Sequence, residues 1–148
     1  VRDPVDRLIS LYFFLTQFNV TPQIFVKYNI TDVISFLDNF KHFYKIEIQP
    51  VLEDKRRCPN YLYIDLLYSG FIPQHTFVCD DDFNILVDDI VRFSNVDEFL
   101  FNKFGIVNNT RINGHSHSND DYASFTTPQH KKDIHEIYKN DYELFFNE

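Results

Sequence analysis

An Asp-Pro pair at the head of an apolar run constrains this chain more than any other feature, because it fixes where a helix must begin. Asp3 is suited to the N-cap and Pro4 to the first helical position, where a missing N–H costs nothing. Leu8, Ile9, Leu11, Tyr12 and Leu15 then recur at helical spacing. Only Val1 and Arg2 precede the cap, so the pattern reads as the last residue of a strand passing through an arginine into a helix. Residues from Asn19 to Pro22 break that helix. Thr31 reads as the cap of a second one running to Phe40, with Val33, Ile34, Phe36, Leu37 and Phe40 as its apolar set.

Beyond Lys41 the pattern is less decisive. Tyr61 to Leu67 fits either a short buried strand or a helix packed on the core. Thr76 to Cys79 is expected to be a strand, Asp80 to Asn84 a polar turn, and the β-branched run from Ile85 to Phe93 a second strand. Asn95 is placed to cap a helix that ends near Phe104 with Gly105 as its stop. From Asn108 to Ser124 the residues are polar and aperiodic, as in a surface loop. Thr127 and Pro128 open a last helix whose buried side is Ile134, Ile137, Tyr138, Tyr142 and Phe145.

The 148 residues suffice for one domain with a real core, and no shift in composition marks a second. A formal net charge of −8 disfavours a generic nucleic-acid or anionic-membrane binder, both of which need a basic field. It leaves room for a local anion site. No apolar run approaches the roughly 18 to 20 residues of a spanning helix.

Such an anion site is suggested by residues 1–12, Val-Arg-Asp-Pro-Val-Asp-Arg-Leu-Ile-Ser-Leu-Tyr. A helix N-terminus attracts anions through free backbone N–H groups and the macrodipole. Arg2 stands just ahead of that positive end, where a guanidinium makes forked contacts to phosphate oxygens. Ser10 is seven positions beyond Asp3, which at about 100° per residue returns it to nearly the same face. Arg2 and Ser10 can therefore approach one phosphate from two sides. The same residues also fit a plain structural turn in which the arginine pairs with a carboxylate and the serine meets solvent.

The spacing of Arg2, Asp3, Pro4, Arg7, Ser10 and Tyr12 resembles the 3′-phosphate-binding motif of sulfotransferases. Downstream, Pro73-Gln74, the segment Thr76 to Cys79, the run from Val87 to Val96 and the ending Ile137 to Phe145 resemble the carbohydrate sulfotransferase branch and its bacterial and viral relatives. Ser94 stands where that branch usually has Glu. The resemblance implies an α/β domain, P-loop NTPase-like and three-layered, of which residues 1–148 form one partial unit. The first strand and the 5′-phosphosulfate loop are expected to lie before Val1, as are the catalytic base and any membrane anchor; none of the glycines Gly70, Gly105 and Gly114 heads a phosphate loop. It further implies 3′-phosphoadenosine 5′-phosphosulfate as donor, held at its 3′-phosphate by Arg2 and Ser10, and a carbohydrate hydroxyl as acceptor, with no metal. The competing reading is a sulfotransferase-like binding module that has kept the fold and lost transfer.

In that frame Arg111, Lys131, His115 and His117 are further candidates for donor or acceptor contacts, weighed against a plain polar surface. His115 and His117, with Asn119, Asp120 and Asp121, also have the composition of a metal site, but the flanking sequence predicts no fixed ligand geometry. Arg7 is expected to be a salt-bridge partner and Asp3 a cap. Lys55, Arg56 and Arg57 read as a solvated basic turn, or else as a contact for an acidic glycan. Cys58 and Cys79 are compatible with a disulfide or with two thiols, and the sequons at Asn19, Asn29 and Asn108 with a secretory lumen. Eukaryotic relatives work in the Golgi lumen; bacterial and viral ones need not.

Overall fold

The Asp3 carboxylate accepts the backbone N–H groups of Val5 at 2.8 Å and Asp6 at 3.3 Å, and helix α1 (Pro4–Gln17) starts there. This capping opens a computed structural model of the chain that describes residues 1–17, 23–53, 70–107 and 119–147. After α1 come α2 (Gln23–Lys27) and α3 (Val33–Phe43), and α3 continues through a π-helical turn (Tyr44–Ile48) into α4 (Gln49–Glu53). Pro50 has no N–H to give to the carbonyl four residues back, and the wide turn before it accommodates that loss. The second helix is capped one residue later than its sequence suggests. Asp32 rather than Thr31 accepts from Ser35 N at 2.7 Å, and the Ser35 hydroxyl accepts from Asp32 N in return, closing a capping box.

The core is aromatic. Phe36 is fully buried, with the rings of Tyr12, Phe25, Phe40, Phe43 and Phe71 at centroid distances of 5.5 to 6.3 Å. Leu8 and Ile9 of α1 and Ile134 of the closing segment complete it. That segment is two helices, α7 (Pro128–Ile137) and α8 (Lys139–Phe145), hinged at the fully buried Tyr138, whose hydroxyl donates to Phe71 O at 2.9 Å. Thr127 caps α7 as expected, in a box with His130. Lys41 on α3 reaches Asp133 and Glu136 on α7 at 2.9 and 2.6 Å, a solvent-screened surface tie.

The two strands expected between residues 76 and 93 do not form among the described residues. Gln74–Phe77 is a 3₁₀ turn, and Cys79 meets Ile85 in an isolated antiparallel bridge. Between them lies the expected polar turn, with Asp80 Oδ1 accepting from Asp82 N and Asn84 N. The β-branched run has the right residues but, within the described residues, ladder partners at its ends alone; Ile85, Leu86 and Val87 are 49%, 68% and 40% exposed. At the far end the amino group of Val1 donates to Val91 O at 2.6 Å, and Phe93 N donates to Val1 O at 2.6 Å. That alternation is the register of a parallel bridge between Val1 and Arg92.

Helix α5 (Val96–Phe104) follows a 3₁₀ turn at Phe93–Asn95. Asn95 occupies the N-cap position without capping, because its side-chain oxygen accepts from the Ser94 hydroxyl at 2.9 Å instead. Gly105 ends α5 at φ 67°, with Ile106 N donating back to Leu100 O. A Cβ there meets no atom within 4 Å, so the cost of substitution lies in the backbone alone. Gly105→Ala is expected to destabilise the chain by about 1 kcal/mol and Gly105→Asn by less, measured by urea unfolding. Equal stability of all three chains would refute this. The segment read as loop to Ser124 closes with a short helix, α6 (Asn119–Ser124), anchored by the buried Tyr122.

Candidate active site

The head of α1 carries the candidate residues, and the geometry alters how they can work. Asp3 takes the N–H groups of Val5 and Asp6 with its carboxylate and that of Arg7 with its carbonyl at 2.9 Å, while Pro4 has none. The first turn therefore has no free amide for an anion, contrary to what the sequence suggests. A phosphate at this end finds none of the amides of residues 4–7 free and must rely mainly on side chains, with the macrodipole behind them.

Arg2 is the better placed of those side chains. Its backbone N–H donates to Gln74 Oε1 at 2.8 Å, and its carbonyl accepts from Gln74 Nε2 at 2.6 Å. Its guanidinium lies over the rings of Phe93 at 4.9 Å and Tyr122 at 5.8 Å. Tyr122 also lines a pocket of about 320 Å³, together with Asp3, Asp6, Thr126, Lys131 and His135. Asp6 registers the cations around this pocket: burial and the neighbouring Asp3 push its carboxyl above the ordinary range, and Arg2 and Lys131 pull it back. Lys131 from α7 lines this pocket, while Arg2 stands outside its wall, over the Tyr122 ring that does line it, so the two cations come near one another across 129 positions of sequence. His135, on the same wall, stacks on Tyr142 at 4.5 Å.

Ser10 is half-buried further along α1 and is not part of this pocket wall. Arg111, His115 and His117 lie outside the described residues, as do Cys58 and the basic turn at residues 55–57. Cys79 is half-buried, and burial followed by the Asp80 and Asp141 carboxylates pushes its thiol up, away from the reactive thiolate.

Sequence reasoning missed the group that holds Gln74. Asp141 on α8 is fully buried and accepts from Gln74 N at 2.8 Å, His75 N at 2.9 Å and His75 Nδ1 at 2.6 Å. Burial pushes its carboxyl up, but the His75 bonds, the Gln74 amide and the Arg7 charge outweigh it and hold Asp141 below its ordinary value. Arg7 is the structural cation its spacing suggests. Its Nη1 donates to Ile72 O at 2.7 Å, Nη2 stands 4.0 Å from Asp141, and the guanidinium lies 4.9 Å from the Tyr138 ring. Pro73-Gln74 and Asp141 do appear in the sequence pattern; contacts spanning 67 residues do not.

The arrangement is a pocket with Lys131 and the carboxylates of Asp3 and Asp6 in its wall, and with Arg2 beside it over the Tyr122 ring. Lys131 in the wall and Arg2 beside it offer two cations to a negatively charged group, opposed by the Asp3 and Asp6 carboxylates. Among known proteins, the model of a family described as Sulfotransferase family matches residues 1–147. No curated protein and no solved structure matches the chain.

Proposed function

This chain belongs to the sulfotransferase family, and on that premise we propose that it moves a sulfonate group from 3′-phosphoadenosine 5′-phosphosulfate to a hydroxyl of a carbohydrate acceptor. The observation that carries the donor half is the approach of two cations to one place: Lys131 lines the pocket, and Arg2 lies over the Tyr122 ring that lines it too. In this reading Arg2 makes the forked contact to the 3′-phosphate, Lys131 adds a second point charge, and Ser10 donates its hydroxyl from the next turns of α1. Arg111 is assigned to the donor as well, on the resemblance alone. The pocket, at about 320 Å³, suits the ribose 3′-phosphate end of the donor rather than the whole nucleotide.

The chemistry is an in-line displacement at sulfur. The S–O bond to the acceptor forms as the bond to the bridging oxygen of the phosphosulfate breaks, and the acceptor proton passes to a base. What these residues supply is position: a donor gripped at its 3′ end presents its sulfonate in a fixed direction. The same reading places the chain in the P-loop-like α/β class, and the parallel register of Val1 against Arg92 supports that placement.

Calorimetry with adenosine 3′,5′-bisphosphate, using 5′-AMP as the control that lacks a 3′-phosphate, tests the donor site. The bisphosphate is expected to bind preferentially. Arg2→Ala should weaken it about a hundredfold, as two charge-assisted bonds are lost, and Lys131→Ala or Ser10→Ala about tenfold. Equal affinity for the two nucleotides refutes the donor reading. Preferential binding without transfer to any glycan favours the binding module over the enzyme.

A further inference from the structure

We infer that Gln74 is the positioning residue for Arg2: its side-chain amide grips the Arg2 peptide from both polar groups, and Asp141 holds Gln74 in place. This inference rests on the donor reading of Arg2 and names how that contact is aimed. A residue carrying a flexible guanidinium at the edge of a helix cap gains little from its side chain unless its backbone is fixed. The lost freedom must be spent before the ligand arrives.

Two sets of hydrogen bonds fix it here. Val1 is held on one edge by Val91 and Phe93, and Arg2 on the other edge by Gln74. Gln74 is suited to this because a primary amide carries one acceptor and a donor group side by side, matching the N–H and C=O of a single residue. With Oε1 toward Arg2 N and Nε2 toward Arg2 O, every donor faces an acceptor; the flipped amide sets like against like at both positions. Gln74 is itself fixed, since its backbone N–H and that of His75 end on the buried Asp141 carboxylate. The order of support runs from α8 to the 3₁₀ turn, from that turn to the Arg2 peptide, and from there to the guanidinium over Phe93 and Tyr122. Gln74 touches no donor atom in this scheme.

The test compares Gln74→Ala, Gln74→Glu and Arg2→Ala for the ratio of adenosine 3′,5′-bisphosphate to 5′-AMP affinity, for thermal stability, and for hydrogen exchange at the Arg2 amide. Gln74→Ala is expected to lower the ratio about tenfold and to speed Arg2 exchange. Gln74→Glu keeps the acceptor for Arg2 N but turns an oxygen toward Arg2 O. It should protect the Arg2 amide in part while failing to restore the ratio. If Gln74→Ala lowers the melting temperature and weakens both nucleotides equally, Gln74 is a general structural residue and the inference is wrong. A ratio lost in Arg2→Ala but kept in Gln74→Ala overturns this inference alone. A ratio unchanged in Arg2→Ala removes the donor reading and this inference with it.

Discussion

Asp141→Ala is expected to lower the free energy of unfolding by about 3–5 kcal/mol at neutral pH, a large share of what a single domain has. The carboxylate is fully buried and is the acceptor for two backbone amides and the His75 ring. Removing it leaves those donors without a partner in a place water reaches poorly, and leaves Arg7, whose side chain is 17% exposed, without its counter-charge. Asn at the same position keeps the volume and one acceptor but sets an NH₂ group against an N–H, so it should recover only part of the loss.

The loss should also depend on pH, with a definite sign. Asp141 is held below its ordinary 3.8, so the folded state binds its proton less readily than the unfolded chain does. Its contribution is therefore complete above about pH 4 and disappears as the pH falls through the lower folded value. Urea unfolding of the parent and the Ala variant between pH 3 and 7 should show a gap that is constant at the upper end and narrows below about pH 4. A gap unchanged down to pH 3 means the charge contributes nothing and the penalty is one of volume.

What the sequence disclosed was mostly what is local. Asp3, Pro4, Gly105, Thr127 and Pro128 act over three or four residues, and each sits where its chemistry predicts. Errors arose where two adjacent residues competed for one local role, as with Thr31 and Asp32. They arose again where a strand propensity needed a partner that spacing cannot supply, as between Ile85 and Phe93. The site divides in the same way. The position of Arg2 just ahead of α1 was legible because the Asp3-Pro4 helix start fixes it, whereas the pairing of Arg2 with Gln74, and of Gln74 with Asp141, depends on how α8 packs. The blocked amides of the first turn were missed for a related reason. A capping aspartate that starts a helix well also consumes the groups an anion would use.

Phe36→Ala is the other large effect expected, and it should fall on stability while sparing the pocket. Phe36 is fully buried at the centre of the aromatic core, between Tyr12 of α1 and Phe71 of the segment leading to Gln74. Truncation removes the transfer free energy of the ring and leaves a cavity among rings that cannot all close in, costing about 3–5 kcal/mol and lowering the melting temperature by about 10 °C. Phe36→Leu retains most of the volume and should lose less than half as much. Arg2 precedes α1, about two turns ahead of Tyr12, with its backbone held by Gln74 and residues 91–93 and its guanidinium over Phe93 and Tyr122. At temperatures where the Ala variant is still folded, its preference for the 3′-phosphate should therefore match the parent's. Loss of that preference in a folded Phe36→Ala chain would show that Tyr12 or Phe71 transmits core packing to the pocket. The separate support argued for Arg2 would then be wrong.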